Sequence, residues 1–162
     1  MKKQLVLNQL HINAKRPERK HDNDAGIDLT SSGIYTVYPF QNCLILTGYS
    51  VDLPSNTFGM VCSRSGLALK ENIIVLNSPG IIDEGYKGEI KVILYNLSKK
   101  IYEVNEGDRI AQLIIVSTNY YPIVYRGIST KLDPIENFSN VNKMDPNISN
   151  RGKSGFGSTG VL

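Results

Sequence analysis

Five short stretches carry residue types able to hold an anion or activate water. The densest runs from Arg151 to Gly160, with glycines at Gly152, Gly155, Gly157 and Gly160. A glycine-dense loop exposes backbone N–H groups that can fold around an oxyanion. Arg151 and Lys153 add cations, Ser158 and Thr159 add hydroxyl donors, and Phe156 offers a flat ring on which a base can lie. Two phosphate signatures overlap here. Gly152-Lys153-Ser154 ends like a P-loop, and Gly155, Gly157 and Gly160 have dinucleotide-fingerprint spacing. A P-loop needs glycine where Asn147 stands, and both signatures need a strand before and a helix after, which these flanks do not supply. The choice is therefore between a phosphate-binding arm and a polar tail.

The other four are weaker singly. Ser63-Arg64-Ser65-Gly66-Leu67-Ala68 sets a guanidinium fork beside a hydroxyl and an accessible amide, which makes an anion-holding corner or a polar turn. In Asn77-Ser78-Pro79-Gly80-Ile81-Ile82-Asp83-Glu84-Gly85-Tyr86, Asp83 follows two apolar residues and could act as a base toward water, or be a turn aspartate. Ala25-Gly26-Ile27-Asp28-Leu29 puts one acid at the start of an apolar strand. Gly107-Asp108-Arg109-Ile110-Ala111-Gln112-Leu113 pairs a turn carrying Asp108 with a strand carrying Gln112.

The elements that must position these residues are strands. Short β-branched runs at 4–7, 34–38, 43–47, 49–53, 57–62, 73–76, 89–96, 101–104 and 109–116 are separated by Gly, Pro, Asn and Asp clusters. Glu89-Ile90-Lys91-Val92 alternates cleanly, whereas helical periodicity is absent beyond one turn at 67–71. The pattern predicts an all-β barrel or jelly roll and excludes a βαβ nucleotide sheet. Residues 1–127 read as one catalytic domain, 128–150 as a polar connecting insert and 151–162 as a flexible glycine-rich arm.

Composition narrows the partners. The 162 residues carry a net charge of +3 with the basic residues scattered, which suits a small polyanion better than direct nucleic-acid binding. Cys43 and Cys62 lie in apolar runs without C-x-x-C spacing, so reduced thiols and a cytoplasmic, intracellular setting are expected, with no zinc site. No run has the length of a membrane span or the build of a signal peptide.

Taken in order, AGIDL, SRSGLA, NSPGIIDEGYKGE, GDRIAQL and RGKSGFGSTG resemble the five motifs of the trimeric deoxyuridine triphosphatases (dUTPases), covering Ala25 to Gly160. The resemblance implies a homotrimer of jelly-roll-like subunits with sites shared between subunits. It implies hydrolysis of dUTP to dUMP and pyrophosphate with Mg²⁺, which keeps uracil out of DNA and supplies dUMP for dTMP synthesis. Asp83 takes the place of the base, and Tyr86 that of the tyrosine packed on the deoxyribose. Asn77, with backbone groups around Gly80 and Ile82, falls where uracil is read. Arg64, Ser65, Gly66 and Gln112 fall where phosphates are held, and Asp28 and Asp108 where acids organise the site. No side chain is expected to ligate the metal directly, because Mg²⁺ takes phosphate oxygens and keeps its waters. The arm implies a lid in which Phe156 stacks on uracil while Arg151, Gly157, Ser158 and Thr159 reach the phosphates.

Two departures stand out. Ser63 occupies the usual proline position before the arginine, which predicts a looser turn, and the stretch between Gln112 and Arg151 is longer than the simplest members need, its 128–150 insert offering a surface for a protein partner. Two other functions stay open on sequence: a nucleotide-sensing regulatory module of the same fold, and a relative of dCTP deaminase.

Overall fold

The computed structural model describes residues 4–124. The insert at 128–150 and the arm at 151–162 lie outside the described residues. Ten strands and one short helix follow in order: β1 (Val6–Gln9), β2 (Gly26–Thr30), β3 (Tyr35–Val37), β4 (Asn42–Asp52), β5 (Thr57–Cys62), α1 (Ser65–Glu71), β6 (Ile73–Val75), β7 (Gly80–Ile82), β8 (Glu89–Asn96), β9 (Tyr102–Val104) and β10 (Arg109–Ser117). The strands form two four-stranded antiparallel sheets, β1-β4-β8-β6 and β2-β10-β5-β7, with β3 and β9 as a separate pair. The all-β expectation holds.

Alternation builds the core. Along β8 the even positions Ile90, Val92 and Leu94 are buried while Glu89, Lys91, Ile93 and Tyr95 stay partly exposed. Along β5 the buried positions are Thr57, Gly59 and Val61. A period of two sends one set of side chains inward and leaves the other toward solvent. Ile27, Leu29, Val61, Ile82 and Leu113 of one sheet join Ile45, Val51, Ile73, Val92 and Leu94 of the other in one buried cluster. Each such side chain contributes about 1.5–3 kcal/mol relative to exposure.

Three details differ from the sequence reading. The runs at 43–47 and 49–53 are one strand: β4 passes through Gly48 at φ 72°, and its register against β8 shifts between Leu46 and Ser50. A side chain at Gly48 would run into Ala14, so glycine lets the strand bulge without ending. β7 forms among turn residues, where no apolar run announced it. The turn expected at 67–71 is the helix α1, starting at Ser65 and closed by Asn72 in the left-handed conformation at φ 57°.

Candidate functional site

The expected site residues gather at two places on the β2-β10-β5-β7 sheet. The first is a corner at the Cys62 end of β5. Gln112 of β10 lies opposite Asp28 of β2 on one side and Cys62 of β5 on the other. The chain then turns at Ser63 into Arg64, the N-cap of α1, which makes no side-chain cap bond and leaves the amides of Ser65 and Gly66 without one.

Asp28 is the electrostatic centre of this corner. Arg64 Nε donates to its Oδ1 at 3.1 Å, and Arg109 Nη1 donates to its Oδ2 at 3.1 Å. Arg64 Nη1 also donates to the Arg109 carbonyl at 2.8 Å, which locks the two guanidinium groups to one another through the backbone. The Asp28 and Arg64 side chains are about four-fifths buried, at 19% and 22% exposure, while Arg109 is half open at 47%. Charge-assisted bonds of this kind hold a planar donor array in one orientation.

A cleft of about 420 Å³ opens over the pair, within the range of small-molecule sites. Its walls include the expected Asp28, Arg64, Ser65, Gly66 and Gln112, together with Lys20, Asp24 and Arg109. Three cations face two carboxylates, an excess suited to an anion. Gln112 Nε2 donates to the Ser63 carbonyl at 3.0 Å, and the side chain lies over Gly26, where an added Cβ would stand 2.6 Å from its Oε1.

Arg109 escaped the sequence reading for a geometric reason. It is three residues from Gln112, an odd interval that places two side chains on opposite faces of a regular strand. The β10 register against β2 shifts between Arg109 and Ala111, and Ile110 and Ala111 are both buried. That bulge turns Arg109 to the cleft. Lys20 and Asp24 come from a polar loop that carried no motif. Asp108, expected as a site acid, is not on the cleft wall: its Oδ2 accepts the Asn105 N–H at 2.8 Å in a turn completed by Gly107 at φ 82°.

The second place is the hairpin-like bend of residues 80–88, which carries the chain from β7 in one sheet to β8 in the other. Asn77 lies against Gly80, where an added Cβ would be 3.0 Å from its Nδ2. The Tyr86 N–H donates to the Asp83 carbonyl at 3.0 Å, and the Tyr86 hydroxyl donates to the Glu89 carbonyl at 2.8 Å. A side chain at Gly88 would collide with the phenol, so glycine there admits the ring. Burial first, and the Glu89 carboxylate second, push the Tyr86 hydroxyl above its usual pKa and keep it protonated. Two struts brace the turn. Glu84 Oε2 accepts the Asn56 N–H at 3.0 Å, and Lys87 Nζ meets Asp52 Oδ1 at 2.6 Å while Asn8 donates to Oδ2.

Among the described residues, the Asp83 end of the hairpin points away from the corner. β7 pairs with β5 at Val61↔Gly80 and Gly59↔Ile82, so Asp83 continues away from Cys62 toward Phe58. From Phe58 to Cys62, where the strand ends, is four residues, roughly 13 Å of extended chain. No hairpin residue lines the cleft. Arg151, Phe156, Gly157, Ser158 and Thr159 lie outside the described residues.

Among the described residues no group of three or more His, Cys, Asp and Glu could hold a metal ion, and no helix is long and apolar enough to cross a membrane. Both Asp28 oxygens are engaged by arginines, so the corner is built to receive anionic oxygens, including those of a metal-bound phosphate, rather than a bare cation.

Known proteins resemble this chain in sequence and in fold. The dUTPase family model matches residues 12–160. The deoxyuridine 5′-triphosphate nucleotidohydrolase of Clostridium tetani is 44% identical over 156 residues, 96% of each chain. Its counterpart in Crocosphaera subtropica is 43% identical over 98% of this chain and 99% of its own. Among solved structures, the dUTPase of phage phi11 of S. aureus, in a form that coordinates a structural Mg(II) ion, superposes with a TM-score of 0.70. It is 27% identical and covers 78% of this chain and 98% of that one. Motif order, sheet topology and near-complete coverage agree: the chain belongs to the dUTPase family.

Proposed function

We propose that the protein hydrolyses dUTP to dUMP and pyrophosphate. The observation that carries this reading is the division of labour on one sheet: a cationic corner suited to phosphates at one end, and a braced Asp83–Tyr86 hairpin suited to a nucleoside and a water at the other. Because Asp83 runs off toward the far end of β5, roughly 13 Å of strand from the corner, one copy's corner completes its site with another copy's hairpin. A closed ring of three copies satisfies every corner and hairpin, and the homotrimer is our reading of the assembly.

In that assembled site Asp83 accepts a proton from water as the water oxygen bonds to the α-phosphorus. The bond from the α-phosphorus to the bridging oxygen breaks, and pyrophosphate leaves with the electron pair. Arg64, the Ser65 and Gly66 amides and Gln112 hold the phosphate oxygens, while Asp28 keeps Arg64 aligned. Mg²⁺, carried on the phosphates and water, supplies charge neutralisation when bound. Tyr86, held by its bond to Glu89, packs on the deoxyribose and leaves no room for a 2′-hydroxyl. Asn77 and the backbone near Gly80 and Ile82 read the uracil edge, where a 5-methyl group would meet the strand. The arm closes the site through Phe156, Arg151, Gly157, Ser158 and Thr159. An intracellular enzyme of this kind keeps uracil out of DNA and supplies dUMP for dTMP synthesis.

Pyrophosphate release with Mg²⁺ and dUTP, dCTP, dTTP or UTP tests the reading. Turnover confined to dUTP, with Asp83→Asn retaining dUTP binding but losing at least about a hundred-fold in kcat, is the expected result. Near-normal turnover by the Asn variant would remove Asp83 from its role.

A further inference from the structure

Ser63 is the residue at which three segments meet. Its Oγ accepts the N–H of Val75, the last residue of β6, at 2.8 Å. Its own N–H donates to Ser78 Oγ at 3.2 Å, in the turn that leads into β7 and carries Asn77. Its carbonyl accepts Gln112 Nε2 at 3.0 Å. A proline here has neither the hydroxyl nor the N–H and would lose two of the three bonds, of which the one from Val75 needs the serine hydroxyl. The turn is tied where the sequence suggested it would be loose.

We infer that Ser63 is a positioning residue that straps the phosphate corner to the base of the hairpin. The inference rests on reading the corner as the phosphate end of the site. Arg64 follows Ser63 directly, so the direction in which its guanidinium reaches Asp28 is set by the peptide that Ser63 fixes. The Gln112 amide is aimed by the Ser63 carbonyl over the open surface of Gly26. On the other side, Ser78 is bound to the same residue. Displacement of the Ser78 turn is therefore felt at Arg64 and Gln112, although Ser78 is not on the cleft wall. Coupling of this kind is reciprocal: filling the corner stiffens the turn that carries Asn77, and the reverse. If corner and hairpin of one copy serve two different sites, the strap links neighbouring sites through a single residue.

The test is calorimetric titration of inorganic pyrophosphate into the full-length protein and its Ser63→Ala, Ser63→Thr and Ser78→Ala variants, with thermal melting alongside. The expected result is pyrophosphate binding about three- to ten-fold weaker in Ser63→Ala and in Ser78→Ala, the scale of one hydrogen bond, with Ser63→Thr within about two-fold of the unmutated protein. A purely structural role lowers the melting temperature of the alanine variants without moving this affinity. Affinities within two-fold in both alanine variants overturn the strap. If Ser63→Ala does not fold, the Ser78→Ala affinity decides. Absence of pyrophosphate binding by the unmutated protein overturns both the strap and the phosphate corner. Absence of dUTP turnover, with the affinity pattern intact, overturns the dUTP reading alone.

Discussion

Gly26→Ala separates catalysis from folding more sharply than any change at a charged residue. The new Cβ would stand 2.6 Å from Gln112 Oε1 and 3.3 Å from its Cβ, so the Gln112 side chain must swing away and release the Ser63 carbonyl. The atom in the way is the end of a flexible chain, and Gly26 does not have a positive φ that alanine would resist. Loss of one neutral hydrogen bond costs about 0.5–1.5 kcal/mol. Alanine returns about 0.4–1 kcal/mol by restricting the unfolded chain. Net stability should therefore change by less than ~1 kcal/mol, a few degrees in Tm. Activity has no such offset. Removing a correctly aimed amide from the phosphates should cost about 1–2 kcal/mol of transition-state binding, roughly five- to thirty-fold in kcat/KM. Pyrophosphate-release kinetics and thermal melting on the same sample read both quantities. Unchanged kcat/KM would refute the argument by showing that Gln112 does no work over Gly26; a large fall in Tm would show that the backbone, not the side chain, gave way.

Two further outcomes follow from the geometry. Asn96 is fully buried; its Nδ2 donates to the Val37 and Lys100 carbonyls, and its Oδ1 accepts the Ser98 N–H and hydroxyl, so Asn96→Ala should lose about 2–4 kcal/mol in a urea titration with the slope unchanged. The hydrogen bonds from Lys87 and then Asn8 hold the Asp52 carboxyl below its usual pKa, so its contribution is complete above the unfolded value near ~3.9 and disappears as pH falls through the lower folded value; because Asp52 is 44% exposed, the Tm gap to Asp52→Asn should reflect less than ~1 kcal/mol, hold from neutral pH to about pH 5, close in stronger acid and shrink in high salt.

Much of the fold was legible because alternation is a local property. β5 and β8 show it directly, and the buried faces follow from the period of two. What was hidden depends on backbone irregularity and on contacts distant in sequence. Gly48 read as a break between strands because glycine marks both ends and bulges, and only the Ala14 contact and the β8 register distinguish them. Arg109 was concealed by a bulge that reverses the parity of its strand, while Asp108 beside it is bonded into the turn at Asn105. Arg64, Gln112 and Asp28 were recognised singly, but their convergence at one corner is a property of cross-strand pairing. The separation of Asp83 from that corner could not be read from motif order, since neighbours in sequence diverge along opposite directions of β5.

That separation has a genetic consequence. If each site draws its corner from one copy and its hairpin from another, a chain damaged at Arg64 and a chain damaged at Asp83 are complementary lesions. Each assembles into an inactive oligomer alone. Co-expressed, they form mixed oligomers in which a sound corner faces a sound hairpin at some junctions, and two null alleles together restore a fraction of the wild-type phenotype.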